Sequence, residues 1–224
     1  MTNAQTDRTL WKDNGVPVSA RFDDPYYSLD NGLAETRYVF LDGNDLPARF
    51  RPGFHIAELG FGTGLNLIAA RQAWRSAGTG GPLRFTSFEA FPMPPEDALR
   101  ALSAFPETAP FAEDTAALLA DPSRALIRDD IEMQLIVGDA RETLPIWQGR
   151  ADAWFLDGFS PAKNPELWGA DLLAEVGRHT AAHGSFATYT AAGDVRRALV
   201  AAGFDVTRQP GYGRKRHMTT GKMP

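Results

Sequence analysis

The chain has 224 residues, 43% hydrophobic and 23% charged, with no cysteine and a net charge of −5. At about 150 residues per domain this is one large domain or one domain with an appendage, and the composition excludes disordered, collagenous and fibrous classes. Without cysteine there are no disulfides, thiolate metal sites or cysteine nucleophiles.

No stretch approaches the ~20 consecutive apolar residues of a membrane helix. Met1–Arg8 is polar and lacks the apolar centre of a secretory signal, so a cytoplasmic protein with no membrane partner is expected. The charge is uneven. Val206–Pro224 holds Arg208, Arg214, Lys215, Arg216 and Lys222 with no acid, a +5 end on a −10 body. A second run, Glu96–Glu132, has nine acids against Arg100, Arg124 and Arg128. These are either two solvated faces or an acidic protein that offers one basic end to a polyanion.

In chain order, two short strands are expected around Pro17 and a helix over Asn31–Phe40, closed by Pro47 and Pro52. From Phe54 onward, apolar runs alternate with amphipathic stretches, which predicts parallel βα units. Strands are predicted at Phe54–Leu59 and Leu83–Glu89, with a helix at Leu65–Ala77 between them, its Leu65, Ile68, Ala69 and Gln72 at helical spacing. Phe91–Pro110 is rich in proline and acid and opens a helical insert reaching about Asp130. Strands follow at Ile131–Val137 and Ala153–Asp157, a helix at about Glu166–His179, and a strand at Ser185–Thr190. Val195–Ala202 is a short helix ending at Gly203. Phe204–Arg208 and Lys215–Thr219 close the chain as a strand pair around Pro210–Gly213, an antiparallel edge on an otherwise parallel sheet. The predicted fold is an open α/β sandwich, with residues 1–52 as an extension packed on a 53–224 core and a helical insert at about 91–130.

In such a sheet the ligand lies beyond the carboxyl ends of the strands, where four polar segments fall. The first is Glu58-Leu59-Gly60-Phe61-Gly62-Thr63-Gly64, a glycine-rich turn between strand and helix that frees helix N–H groups. Leu65 stands where a dinucleotide fingerprint needs its third glycine. Glu58 would repel a pyrophosphate but suits the ammonium of S-adenosylmethionine, unless it is an ordinary surface acid. The second is Glu89, placed to accept ribose hydroxyls. The third is Asp139, which accepts from an adenine amino group or caps the helix beginning near Ala140. The fourth, Trp154–Pro165, carries Asp157 and Phe159 into a proline-fixed loop. A carboxylate followed by an aromatic ring at this strand end suits methylation of an amine on a base: the acid accepts from the amine and the ring stacks. The plain alternative has Asp157 capping a turn and Phe159 in the core. His179 and His183 are four apart with no acid in register, so no metal site is expected.

The chain resembles the methyltransferase domain of the bifunctional tRNA 5-methylaminomethyl-2-thiouridine biosynthesis proteins and its stand-alone relatives. The resemblance runs from about Val16 to Gly221. It is carried by Phe22–Tyr27 with Asn31–Leu33, Glu35–Phe40, Gly60–Asn66, Ser87–Glu89, Trp154–Pro165, Thr188–Gly193 and Gly211–Arg216. It implies a Rossmann-like class I fold and methyl transfer from S-adenosylmethionine to the exocyclic amine of 5-aminomethyl-uridine at the tRNA wobble position. Gly60, Gly62, Gly64 and Asn66 would then line the methionine part, Glu89 would hold the ribose, and Asp157 and Phe159 would stand beside the transferred methyl. Arg214, Lys215 and Arg216, with Arg196 and Arg197, would meet the tRNA backbone. The bifunctional form has a second, FAD-dependent half and nothing here follows Pro224, so no FAD is expected, and the aminomethyl substrate is expected to come from another route or enzyme. Competing expectations are a methyltransferase of a small-molecule amine, an NAD-dependent oxidoreductase and a non-catalytic tRNA-binding module.

Overall fold

The computed structural model describes residues 8–28 and 31–224; of the polar run Met1–Arg8, residues 1–7 lie outside the described residues. An eight-stranded sheet forms the centre. Its strands are β4 (His55–Leu59), β5 (Leu83–Glu89), β6 (Ala125–Arg128), β7 (Ile131–Val137), β8 (Ala151–Leu156), β9 (Thr180–Thr188), β10 (Asp205–Pro210) and β11 (His217–Lys222). Their order is β10-β11-β9-β8-β4-β5-β7-β6. The five strands from β9 to β7 are parallel, and both edges are antiparallel. From β4 the chain winds outward through β5 and β7, then crosses to β8 and β9 on the other side. The crevice where the winding reverses lies at the carboxyl ends of β4 and β8.

Parallel strands covered on both faces are mostly apolar, and β4 and β8 are buried at every position, with His55, Glu58 and Asp152 the polar members. Alternate residues serve opposite layers. Ile56, Phe85 and Phe155 face α2 (Leu65–Ala77) and the N-terminal helical turns, while Ala57, Phe88, Trp154 and Phe186 face α6 (Ala170–Arg178) and α7 (Gly193–Ala201). A small antiparallel sheet of β1 (Thr9–Trp11), β2 (Pro17–Ser19) and β3 (Asp24–Pro25) precedes the core.

Several predicted boundaries are corrected. The helix expected over Asn31–Phe40 is α1 (Gly32–Thr36), capped by the Asn31 side chain and continued as a π-helical turn, Arg37–Leu41. The insert is helical only in α3 (Pro95–Leu102) and α4 (Ala109–Ala120) with a 3₁₀ turn between. Its end is β6, a hairpin partner of β7 that helical periodicity concealed because only four residues pair. The helix expected at Glu166–His179 is split: Gly169 is extended between a 3₁₀ turn, Pro165–Trp168, and α6. β9 begins at Thr180 rather than Ser185, and the closing strands run one to three residues later than expected, with Pro210 opposite His217. Strand β8 starts at Ala151 and ends at Leu156, leaving Asp157 as the first residue beyond it.

Candidate functional site

A cavity of about 1130 Å³ opens at the carboxyl ends of the parallel strands. Its floor is the contact of two strand-end turns, after β4 and after β8. Gly60 has φ +86°, and a Cβ there would lie 2.9 Å from the Gly158 Cα. Gly64, at φ +79°, packs against Thr115 and Phe61, where a Cβ would come within 2.6 Å of a methyl. These two glycines are therefore required by the protein's own packing.

The glycine turn also orients Glu89. The backbone N–H of Gly62 donates to one Glu89 oxygen at 3.2 Å and that of Phe91 to the other at 2.9 Å. Asp139 caps α5 (Ala140–Thr143) by accepting from the Arg141 N–H at 2.9 Å, and it also pairs with the Arg141 guanidinium. The Arg141 side chain holds its carboxyl below the usual range. Of the two expectations for Asp139 the structure displays the cap, and the carboxylate still borders the cavity.

Glu58 is neither a surface acid nor part of the cavity wall. It is fully buried, accepting from Ser87 Oγ at 2.6 Å and from Asn66 Nδ2 at 2.9 Å. Desolvation, with Asp157 and Glu89 nearby, pushes its carboxyl well above the ordinary range despite these bonds. Asn66, on the first turn of α2, is the hub. The same Nδ2 donates to Asp157 at 2.7 Å, and its amide oxygen accepts from the Thr36 hydroxyl at 2.9 Å. One amide thus spaces two carboxylates that would otherwise repel.

Asp157 also accepts from the Gly158 N–H at 2.8 Å. Desolvation raises its carboxyl to about 6, against the lowering pull of Asn66, Gly158 and Lys215. It is thus ionised just below neutrality, the range in which a carboxylate serves as a general base. The loop beyond it is fixed from three directions. Tyr189 donates to the Gly158 carbonyl at 2.8 Å, Trp168 to the Phe159 carbonyl at 2.9 Å, and the Ser160 N–H to Asp24 at 2.8 Å.

Phe159 is not a core residue. Phe22 stacks on its ring, with centroids 4.8 Å apart and planes 26° off parallel, and Tyr26 meets it edge-on at 5.1 Å. The segment Arg21–Ser28 thereby walls the cavity, with Tyr26 lying against the glycine turn at Gly62. Neither hydrophobic period nor strand-end position points to this segment, nor to the roles of Tyr189, Thr36 and Ser87. Its aromatic Phe22-Asp23-Asp24-Pro25-Tyr26-Tyr27 run, in an otherwise polar stretch, is the signal that could have found it.

The basic residues separate. Lys215 borders the cavity, its ammonium on Glu35 at 2.7 Å and 4.3 Å from the Tyr189 ring centroid. Arg214 and Arg216 are exposed on the turn between β10 and β11 and do not border it. Arg196 and Arg197 lie on α7, also away from the cavity, with Arg197 paired to Asp194. Of the residues expected to hold the cofactor, Gly60, Gly62, Asn66, Glu89 and Asp139 border the cavity, whereas Glu58 and Gly64 do not.

The cavity accommodates a ligand with the chemistry of S-adenosylmethionine. A fixed carboxylate at the end of β5 suits a ribose diol, and the Asp157 carboxylate beside the glycine turn suits a cationic group. Similarity to known proteins points the same way. Residues 109–224 match the family model described as S-adenosyl-L-methionine-dependent methyltransferase. The chain is 45% identical over 228 residues to the tRNA 5-methylaminomethyl-2-thiouridine biosynthesis bifunctional protein MnmC of Caulobacter vibrioides, covering 96% of this chain and 38% of that protein. It is 44% identical over 232 residues to the MnmC protein of Pseudomonas aeruginosa, covering 99% and 36%. The chain thus spans little more than a third of the length of these curated relatives. The crystal structure of MNMC2 from Aquifex aeolicus superposes with a TM-score of 0.76 at 26% identity, covering all of this chain and 73% of that one. With the doubly wound sheet, the crevice at β4 and β8 and the matching family model, the chain belongs to the S-adenosyl-L-methionine-dependent methyltransferases, with the class I fold.

Proposed function

We propose that the protein methylates the exocyclic amine of 5-aminomethyl-uridine, with or without the 2-thio group, at the wobble position of tRNA. One observation carries this reading: identity of 44–45% along nearly the whole chain to proteins named for making tRNA 5-methylaminomethyl-2-thiouridine. That product differs from an aminomethyl precursor by one N-methyl group, the group that a methyltransferase of this family transfers.

S-adenosylmethionine supplies a methyl group activated by a positively charged sulfur. Gly60, Gly62, Asn66, Glu89 and Asp139 are the residues at hand to hold it. The acceptor is an alkyl ammonium with a pKa of roughly 10, near that of lysine, so its nucleophilic form is scarce at neutral pH. Asp157, itself mostly ionised at neutral pH, orients this amine and takes its proton, directly or through water. Phe159, with Phe22 and Tyr26, offers an aromatic wall for the uracil. Most of the rate then comes from positioning.

In this reading residues 1–52 are an extension to a methyltransferase domain at 53–224, and the Arg21–Ser28 segment of that extension walls the acceptor side. Arg214 and Arg216 meet the RNA backbone near the mouth. A tRNA substrate implies a cytoplasmic location, and among the described residues no helix is long and apolar enough to cross a membrane.

The test is transfer of labelled methyl from S-adenosylmethionine to tRNA from cells lacking the final methylation. Incorporation is expected there and not into fully modified tRNA. No incorporation, with cofactor binding intact, overturns the tRNA reading. A parallel assay with free 5-aminomethyluridine then tests a small-molecule amine as acceptor.

A further inference from the structure

The basic run around Lys215 predicts a place on the RNA backbone, yet its ammonium is turned inward. It rests on the Glu35 carboxylate at 2.7 Å and over the face of Tyr189 at 4.3 Å. Glu35 sits on α1 with only 11% of its side chain exposed, whereas 46% of the Lys215 side chain is exposed. Tyr189 is itself fixed, because its hydroxyl donates to the carbonyl of Gly158, the neighbour of Asp157. A buried carboxylate beside the face of a fixed aromatic ring is the arrangement that recognises an alkyl ammonium. It opens on the cavity that also contains Asp157. The group filling it is a primary ammonium on a methylene, the same chemical group as the acceptor in the proposed reaction.

We infer that Glu35 and the Tyr189 ring form a docking subsite for the protonated acceptor amine, from which it passes to Asp157 to lose its proton, and that Lys215 is a built-in occupant that this amine displaces. The inference rests on the proposed function for the identity of the acceptor. The exposed Lys215 stem lies between Arg214 and Arg216, on the turn from Gly211 to Arg216. Once displaced, the ammonium has that basic, outward-facing surface to join, where a phosphate would receive it. An acceptor without a phosphate backbone gains nothing from this exchange and must compete with Lys215 unaided. Free amines are thereby disfavoured relative to amines carried on RNA.

The test is equilibrium binding of n-propylammonium and of 5-aminomethyluridine to the full chain, with plain uridine as the control. Lys215→Met removes the competitor and is expected to tighten both amines about two- to fivefold, the range set by a partly exposed ion pair. Glu35→Gln is expected to weaken both about tenfold, as removal of a charge-assisted hydrogen bond does, and Lys215→Arg should stay near wild type. Uridine should respond to none of them. Melting curves for each variant separate these effects from loss of fold. If Lys215→Met binds the amines no better than wild type, or Glu35→Gln binds them equally well, the subsite is refuted. If the amine affinities shift as stated but no methyl reaches tRNA, the subsite stands and the proposed function falls. If methyl reaches tRNA and the affinities do not shift, the reverse holds.

Discussion

The two sides of the cavity are built differently. The proposed cofactor side comes mostly from one stretch, Glu58 to Glu89, in which a strand, a turn, a helix and the next strand follow one another, with Asp139 added after β7. Its contacts are backbone N–H groups on a carboxylate and glycines at close approach. The proposed acceptor side is assembled from Phe22 and Tyr26, Glu35, Phe159, Tyr189 and Lys215, spread over nearly 200 residues of sequence. Its contacts are side chain on side chain: ring stacking, a cation over a ring and an ion pair. Local geometry thus fixes the proposed cofactor half, and long-range packing fixes the proposed acceptor half. Asn66 joins them, because it stands on the helix of the first half and holds the carboxylate of the second.

This contrast makes predictions. The largest effect is expected from Asp157→Ala, which should lower turnover by about 10²–10⁴, the contribution of a general base, while cofactor binding persists. Loss of cofactor binding measured by titration would instead move Asp157 to the cofactor half. The wild-type rate should fall as pH drops through about 6, where this carboxyl takes up its proton. Its folded value lies above the ordinary 3.8, so the charged form is disfavoured by the fold. The carboxyl therefore contributes most to stability below about 4 and progressively less as pH rises to about 6. Asp157→Asn should accordingly melt a few degrees higher than wild type at pH 7–8 while remaining inactive.

Asn66→Ala should come next, with turnover down roughly 10- to 100-fold. Removing the amide takes away a bond that holds the Asp157 carboxyl down, so the acidic limb of the pH–rate profile should move above 6. A slower enzyme with an unmoved limb would show that Asn66 supports only the fold. Phe22→Ala should raise KM for the RNA acceptor about 5- to 100-fold, as removal of one stacking partner does, with cofactor affinity unchanged. An equal loss of cofactor affinity, measured by titration, would erase the distinction between the two halves. The smallest effect is expected from Arg214→Ala with Arg216→Ala. The salt dependence of tRNA binding should become shallower by about 0.7–0.9 in log–log slope for each phosphate that these arginines neutralise. An unchanged slope would remove this turn from the RNA-binding surface.

The sequence is readable where structure is local. Strand β5 and helix α2 have the bounds that their hydrophobic periods predict, and Glu89 at the end of β5 follows from its place in a βα unit. β6 is not readable, because four residues ending in an exposed hairpin carry too little pattern to compete with the helical run before them. Glu58 shows a different failure. Its position in the motif is plain, but whether it meets a ligand or two neighbouring side chains depends on which way one side chain of β4 points and what stands over it. Lys215 shows the same at longer range: a cation within a basic run reads as surface, and only the packing of the β10–β11 turn against α1 brings it to Glu35.

The alternation of strands and helices, the carboxyl-end loops and the family are all written in consecutive residues, because apolar period and turn chemistry are local properties. Which carboxylates share an amide, which ring covers Phe159 and which cation faces inward are settled only in three dimensions. Those outcomes depend on distances between residues far apart in the chain, and a Coulombic or stacking contact is decided by the last few ångströms of separation.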